Sequence, residues 1–131
     1  MTHARCPFEV VSFEPGSWPA PGPTDGIALA RASLRKHFSG GDLEGEGVVE
    51  MLSARAGQTA GTYVAMEQIT GSLDGAAGSF VLVHGATAYP DEREDTSWVS
   101  VVHGSGAGGL GGLRGRGRIA HGLLELDYEL G

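Results

Sequence analysis

The sequence predicts an all-β protein built as a closed, antiparallel, eight-stranded β-barrel. Three observations lead there. Short β-rich runs alternate with Gly, Pro and Asp, while windows with apolar residues at i, i+3, i+4 and i+7 are scarce. Glycine supplies 23 of 131 residues, well above the usual share of about 7%, and shows no collagen period. Neighbouring runs also carry opposite charges that match across hairpin turns. A strongly coiled antiparallel sheet of this size tends to close on itself, which removes its edges. An open two-sheet sandwich is the alternative.

Length and composition fit one domain over residues 1–131. The eight runs are 7–13, 28–38, 43–54, 61–73, 78–89, 96–103, 114–120 and 123–130. The segment Glu14 to Gly26 carries four prolines and reads as a long irregular connection. Tyr89 to Asp95 reads as a charged surface loop, and "GAGGLGGL" as a turn of helix or a bulged loop.

Between the second and third runs, a Gly40-Gly41 turn would put His37 opposite Glu44, Arg35 opposite Glu46 and Arg31 opposite Glu50. The other face then holds Ala32, Leu34, Lys36 and Phe38 against Leu43, Gly45, Gly47 and Val49. In the last hairpin a His121-Gly122 turn pairs Arg118 with Glu125, Arg116 with Asp127 and Arg114 with Glu129. Gly115, Gly117 and Ile119 face inward there. A slip of one residue would destroy both patterns.

Asp74-Gly75 is a strong hairpin signal. A two- or four-residue loop puts Tyr63, Ala65, Glu67 and Ile69 on one face with Phe80, Leu82, His84 and Ala86. Glu67 and His84 then lie directly or diagonally adjacent on an apolar, inward face. Such a pair can act as general acid and base, or serve as an internal hydrogen bond that fixes the fold. Lys36, on the inward face of its run, reads as a rim residue whose ammonium reaches water, or as a ligand contact. Trp18, Trp98 and Tyr89 read as core or cavity-mouth residues. Val48, Val64, Met66, Val81 and Val83 form an outer apolar stripe that asks for cover, most simply in a homodimer.

The net charge of −7 disfavours nucleic acid as a partner. Cys6 is the one cysteine, so an internal disulfide and a cysteine-based zinc site are excluded. The five histidines lack metal-ligand spacing, and no metal or cofactor is expected. No apolar run has the length of a membrane helix and no signal peptide is apparent, so a cytoplasmic protein without membrane contact is expected. Gly104 to Gly109 spells G-x-G-x-x-G, the dinucleotide-loop pattern. It lacks the following helix and βαβ unit, and its downstream arginines belong to the last hairpin.

The stretches "RASLRKHFSGGDLEGEG", "YVAMEQITGSLDGAAGSFVLVHG", "SVVHGSGAGGLGGLRGRGRI" and "LDYEL" resemble the bacterial domain-of-unknown-function 3224 family, from about Phe8 to Leu130. The resemblance implies an allene-oxide-cyclase-like barrel and no established activity. Glu67 and His84 fall on the family's matching motif positions. His103 stands where family members usually carry proline, which marks His103 as a candidate ligand contact beside the last loop.

Together these features predict a cofactor-independent cyclase or isomerase acting on a small hydrophobic molecule. Glu67 and His84 would move protons, while Tyr63, Phe80, Leu82 and Trp98 wall the lumen. A non-catalytic ligand-binding barrel and a filled structural module are the alternatives.

Overall fold

A computed structural model describes residues 1–23, 25–57, 60–91 and 94–131. Part of the expected irregular connection (Thr24) and of the charged loop (Glu92 and Arg93) lies outside the described residues. The elements are β1 (Thr2–Gly16), β2 (Ile27–Phe38), β3 (Leu43–Ala56), β4 (Ala60–Leu73), β5 (Ala76–Ala88), β6 (Thr96–Val101), β7 (Ala107–Gly108), β8 (Arg114–Ala120) and β9 (Leu123–Glu129). No helix long and apolar enough to cross a membrane occurs among the described residues.

All pairings are antiparallel, in the order β4-β3-β2-β1-β9-β8-β6-β5. Strand β5 pairs again with β4, which closes a ring of eight strands and, among the described residues, leaves the short β7 outside it. Closure depends on β1, which is far longer than the sequence pattern indicates. Its first half, Thr2 to Pro7, pairs with β9, and its second half, Phe8 to Gly16, pairs with β2. A bulge between Val10 and Ser12 divides the pairing with β2. Past the bulge the alternation resets, so Phe13 turns inward opposite Leu34.

Two turns follow the sequence closely. Asp74 and Gly75 both have positive φ and form a two-residue turn between Leu73 and Ala76. His121 and Gly122 do the same between Ala120 and Leu123. Arg114 and Arg118 reach Glu129 and Glu125 at 3.1 and 2.9 Å. Asp127 stands opposite Arg116 but accepts from His3 of β1 at 2.8 Å, so the third expected ion pair is replaced by one that ties β1 to β9.

The β2–β3 hairpin needs a correction. Its inward and outward faces are as read, but its register is displaced by two residues. Phe38 pairs with Gly45, His37 with Glu46, Arg35 with Val48 and Arg31 with Leu52. The turn is wider than a Gly40-Gly41 pair because Leu43 has already joined β4, opposite Leu73. The Glu44 carboxylate caps the turn through the Gly40 N–H at 3.0 Å. A shift of two preserves side-chain direction, so the inward face is kept while the ion pairs change.

The core fills one end of the ring. Phe38, Leu43, Ile69, Leu73, Phe80, Leu82, Leu124 and Leu126 are buried there. The glycine-rich stretch closes this end. Leu110 and Leu113 point into the core and are each 1% exposed. The segment around Ala107 pairs with Gly78 and Ser79 of β5. A Cβ at Gly78 would run into the Ala107 carbonyl, and one at Gly106 into the Leu110 carbonyl. The glycines thus allow the loop to lie flat on the sheet as a plug.

The opposite end stays open. The last β1–β9 pair is Pro7 with Leu123, yet β1 continues to Gly16. The long strands therefore project past the β8–β9 turn and form a mouth. Outside the ring, Val48, Val64 and Met66 are 42%, 45% and 55% exposed, as the outer stripe predicts.

Candidate functional site

Between plug and mouth lies a layer of charged and polar side chains. The two-residue turn sets Glu67 opposite Leu82 and His84 opposite Ala65, so Glu67 and His84 are diagonal neighbours. His84 Nε2 lies 2.9 Å from Glu67 Oε1. Lys36 Nζ, from β2, donates to the same oxygen at 2.9 Å. On the mouth side, the Tyr63 hydroxyl lies 3.0 Å from His84 Nδ1, with the two rings edge to face. The result is a continuous chain, Lys36–Glu67–His84–Tyr63.

Space for this chain comes from glycine. Gly47 stands opposite Lys36, and a Cβ there would collide with Glu67 Oε2. Lys36 is buried, which corrects the reading of it as a rim residue. Its ammonium rests 4.3 Å from the centre of the Phe8 ring, and Phe8 packs on Phe38. Gly47, not Gly45, faces it, because of the two-residue register shift.

Burial alone would push the Glu67 carboxyl up. The His84 hydrogen bond and the Lys36 charge outweigh burial and hold it below its ordinary range. Glu67 is therefore ionised at neutral pH, and its Oε1 accepts from both neighbours. In a neutral His84 ring, Nε2 carries the proton and Nδ1 accepts from the Tyr63 hydroxyl. Burial, with the Glu67 charge, pushes the Tyr63 phenol up, so it stays protonated. Glu67 Oε2 is buried without a hydrogen-bond partner.

Tyr63 is the member of the chain that lines the mouth. A cavity of about 630 Å³ opens there, walled by Phe13, Ala30, Met51, Ala86 and Ala88 and edged by Ser53 and Arg55. Its size suits a small-molecule site. Glu67, Lys36 and His84 line none of it and communicate with it through Tyr63.

The other sequence candidates are placed differently. Phe80 and Leu82 are fully buried in the core and do not wall the cavity. Trp98 is corrected from interior wall to outer face. It is 45% exposed and lies across Gly85, while its strand neighbours Val99 and Val101 point inward. His103 is exposed in the turn after β6, away from the mouth lining. Trp18 covers the outer side of β3 and β4 beside Leu52 and Val64. Phe13 and Arg55 were not singled out by sequence. The bulge hides the first, and the second follows from extending the inward alternation of β3 beyond Ser53. No group of three or more His, Cys, Asp or Glu side chains could hold a metal ion among the described residues.

Residues 4–130 match the family described as Protein of unknown function (DUF3224). The chain belongs to the DUF3224 family. It is also similar to the crystal structure of a DUF3224 protein with unknown function from Shewanella oneidensis MR-1. That likeness has a TM-score of 0.86 and 36% sequence identity, covering 100% of this chain and 98% of the other. None of the curated proteins matches.

Proposed function

We propose that this DUF3224 protein works as a barrel with one open mouth, of the allene-oxide-cyclase kind its sequence resembles. In this reading it is a cofactor-independent isomerase or cyclase for a small hydrophobic molecule. The observation that carries the reading is Tyr63, on the cavity wall and 3.0 Å from His84 Nδ1. A proton leaving a bound molecule passes to the Tyr63 oxygen while the Tyr63 proton passes to His84 Nδ1. The imidazolium so formed sits 2.9 Å from the Glu67 carboxylate, which stabilises it. Reversal of the transfer onto a different atom of the molecule completes an isomerisation with no net proton change. Tyr63 and His84 carry the proton. Glu67 and Lys36 are positioning residues, which refines the initial pairing of Glu67 and His84 as the acid and base. The apolar walls exclude water and hold the molecule in a reactive shape.

The test is deuterium wash-in from D₂O into a panel of small apolar ketones and enones, followed by proton NMR. Wild-type protein is expected to exchange at least one of them, with Tyr63→Phe and His84→Asn about 100-fold slower. Full exchange in both folded variants would remove these roles. Tight binding without exchange in the wild type would instead favour a carrier.

The outer stripe supports a second element of the proposal, a homodimer. Exposed Val48, Val64 and Met66 are flanked by Arg31 and Arg35 on β2 and by Glu46 and Glu50 on β3. Both signs on one apolar face make it self-complementary, as a two-fold interface requires.

A further inference from the structure

We propose that Arg55 binds a carboxylate, so that the molecule taken up in the mouth is a small apolar carboxylic acid. The inference rests on the mouth cavity being the binding site and names the class of molecule it takes.

Arg55 is the one charged residue lining that cavity among the described residues. The other polar groups there, Ser53, Thr62 and Tyr63, are neutral at pH 7. Arg55 sits on the inward alternation of β3, and its register partner on β4 is Gly61. A Cβ at Gly61 would lie 3.7 Å from Arg55 Cγ, so the stem of the arginine runs across a position with no side chain. This holds the stem against the sheet at the edge of the apolar wall. The guanidinium makes no hydrogen bond or ion pair with any described residue.

The Asp95 carboxylate accepts from the Tyr89 N–H at 3.2 Å. In a chain of net charge −7, an uncommitted guanidinium beside an apolar cavity creates a local positive field where the surroundings are negative. A guanidinium binds a carboxylate by two parallel hydrogen bonds, a geometry that a neutral head group cannot reproduce. The apolar tail would then lie along Phe13, Met51 and Ala86, toward Tyr63.

The test is calorimetric titration of decanoate and of 1-decanol into wild-type protein and the Arg55→Gln variant. The wild type is expected to bind decanoate about tenfold more tightly than decanol. Arg55→Gln is expected to lose that preference and keep its affinity for decanol, which also reports that the variant is folded. Unchanged decanoate affinity in Arg55→Gln, with decanol still bound, would overturn the carboxylate assignment and leave the mouth as a binding site. Wild-type binding of neither probe would overturn both. An Ala86→Trp variant, which fills the mouth, is expected to lose both probes. Retained decanoate binding in that variant would place the carboxylate outside the mouth and overturn the assignment.

Discussion

Glu67 is kept charged by its neighbours although no part of it reaches solvent. Its carboxyl lies below the ordinary value of 4.5 in the folded protein, so the unfolded chain binds the proton more readily. The stability this confers is fully present above pH 4.5 and is lost as pH falls through the lower folded value. Glu67→Gln is expected to remove that acid-dependent loss and to cost about 3 kcal/mol at pH 7, because Lys36 is left buried without its counter-charge. Urea unfolding of both proteins from about pH 3 to about pH 7, a range that brackets carboxyl titration, checks this; parallel pH profiles would contradict it. The Glu67–His84 contact was legible in sequence only on condition of an even loop: two or four residues after Leu73 put both side chains on one face, whereas three would have separated them, and the two-residue turn meets the condition. The Lys36 contact was not. It spans from β2 to β4 across Gly47, so it depends on two registers at once, and one was displaced. Trp98 was misplaced because β6 is short and mixes polar and apolar residues on both faces. Only the burial of Val99 and Val101 decides its orientation.

The last hairpin was readable to the residue, down to Gly115 facing Tyr128 and Gly117 facing Leu126, while at Asp74-Gly75 the sequence left the loop length, and so the exact register, open. The β2–β3 turn was not, since Ser39 to Asp42 offers several glycine-containing loops of equal merit and the packing of Leu43 against β4 selects among them. The length of β1 was hidden because the β-rich run was read only over 7–13, with Pro15 assigned to the proline-rich connection that follows. Pro7 sits where β1 changes partner, and Pro15 lies in the half paired with β2 alone, where a missing N–H faces no second strand. The plug loop carries its own prediction. Gly78→Ala would force the Ala107 segment off β5 and is expected to destabilise the protein by about 2 kcal/mol. Thermal unfolding should show that loss, and hydrogen exchange should show earlier exchange at Gly109, whose N–H bonds the Ala77 carbonyl at 2.7 Å. An unchanged melting temperature would mean that the plug is not held by this contact.

At the scale of the molecule, closure of the sheet was anticipated from its coil and glycine content, while the inequality of its two ends was not. That inequality arises from strand lengths and from where Leu110 and Leu113 fold back, both of which are long-range outcomes. The exposed outer face predicts self-association. Light scattering after size-exclusion chromatography should give twice the chain mass at micromolar concentration, and Met66→Lys should return it to the monomer. A monomeric wild type would refute the dimer. The stoppered end has a further consequence for traffic through the ring. In the function proposed above, a vessel with a single opening would admit a guest and release it by the same route. An amphipathic guest that enters tail first must back out head first, so its head group is the last part admitted and the first to depart. In the function proposed above, such a protein would not thread a polymer or work processively along one. In that role it would take separate molecules, one per visit, and the grip on the head group would set how long each visit lasts.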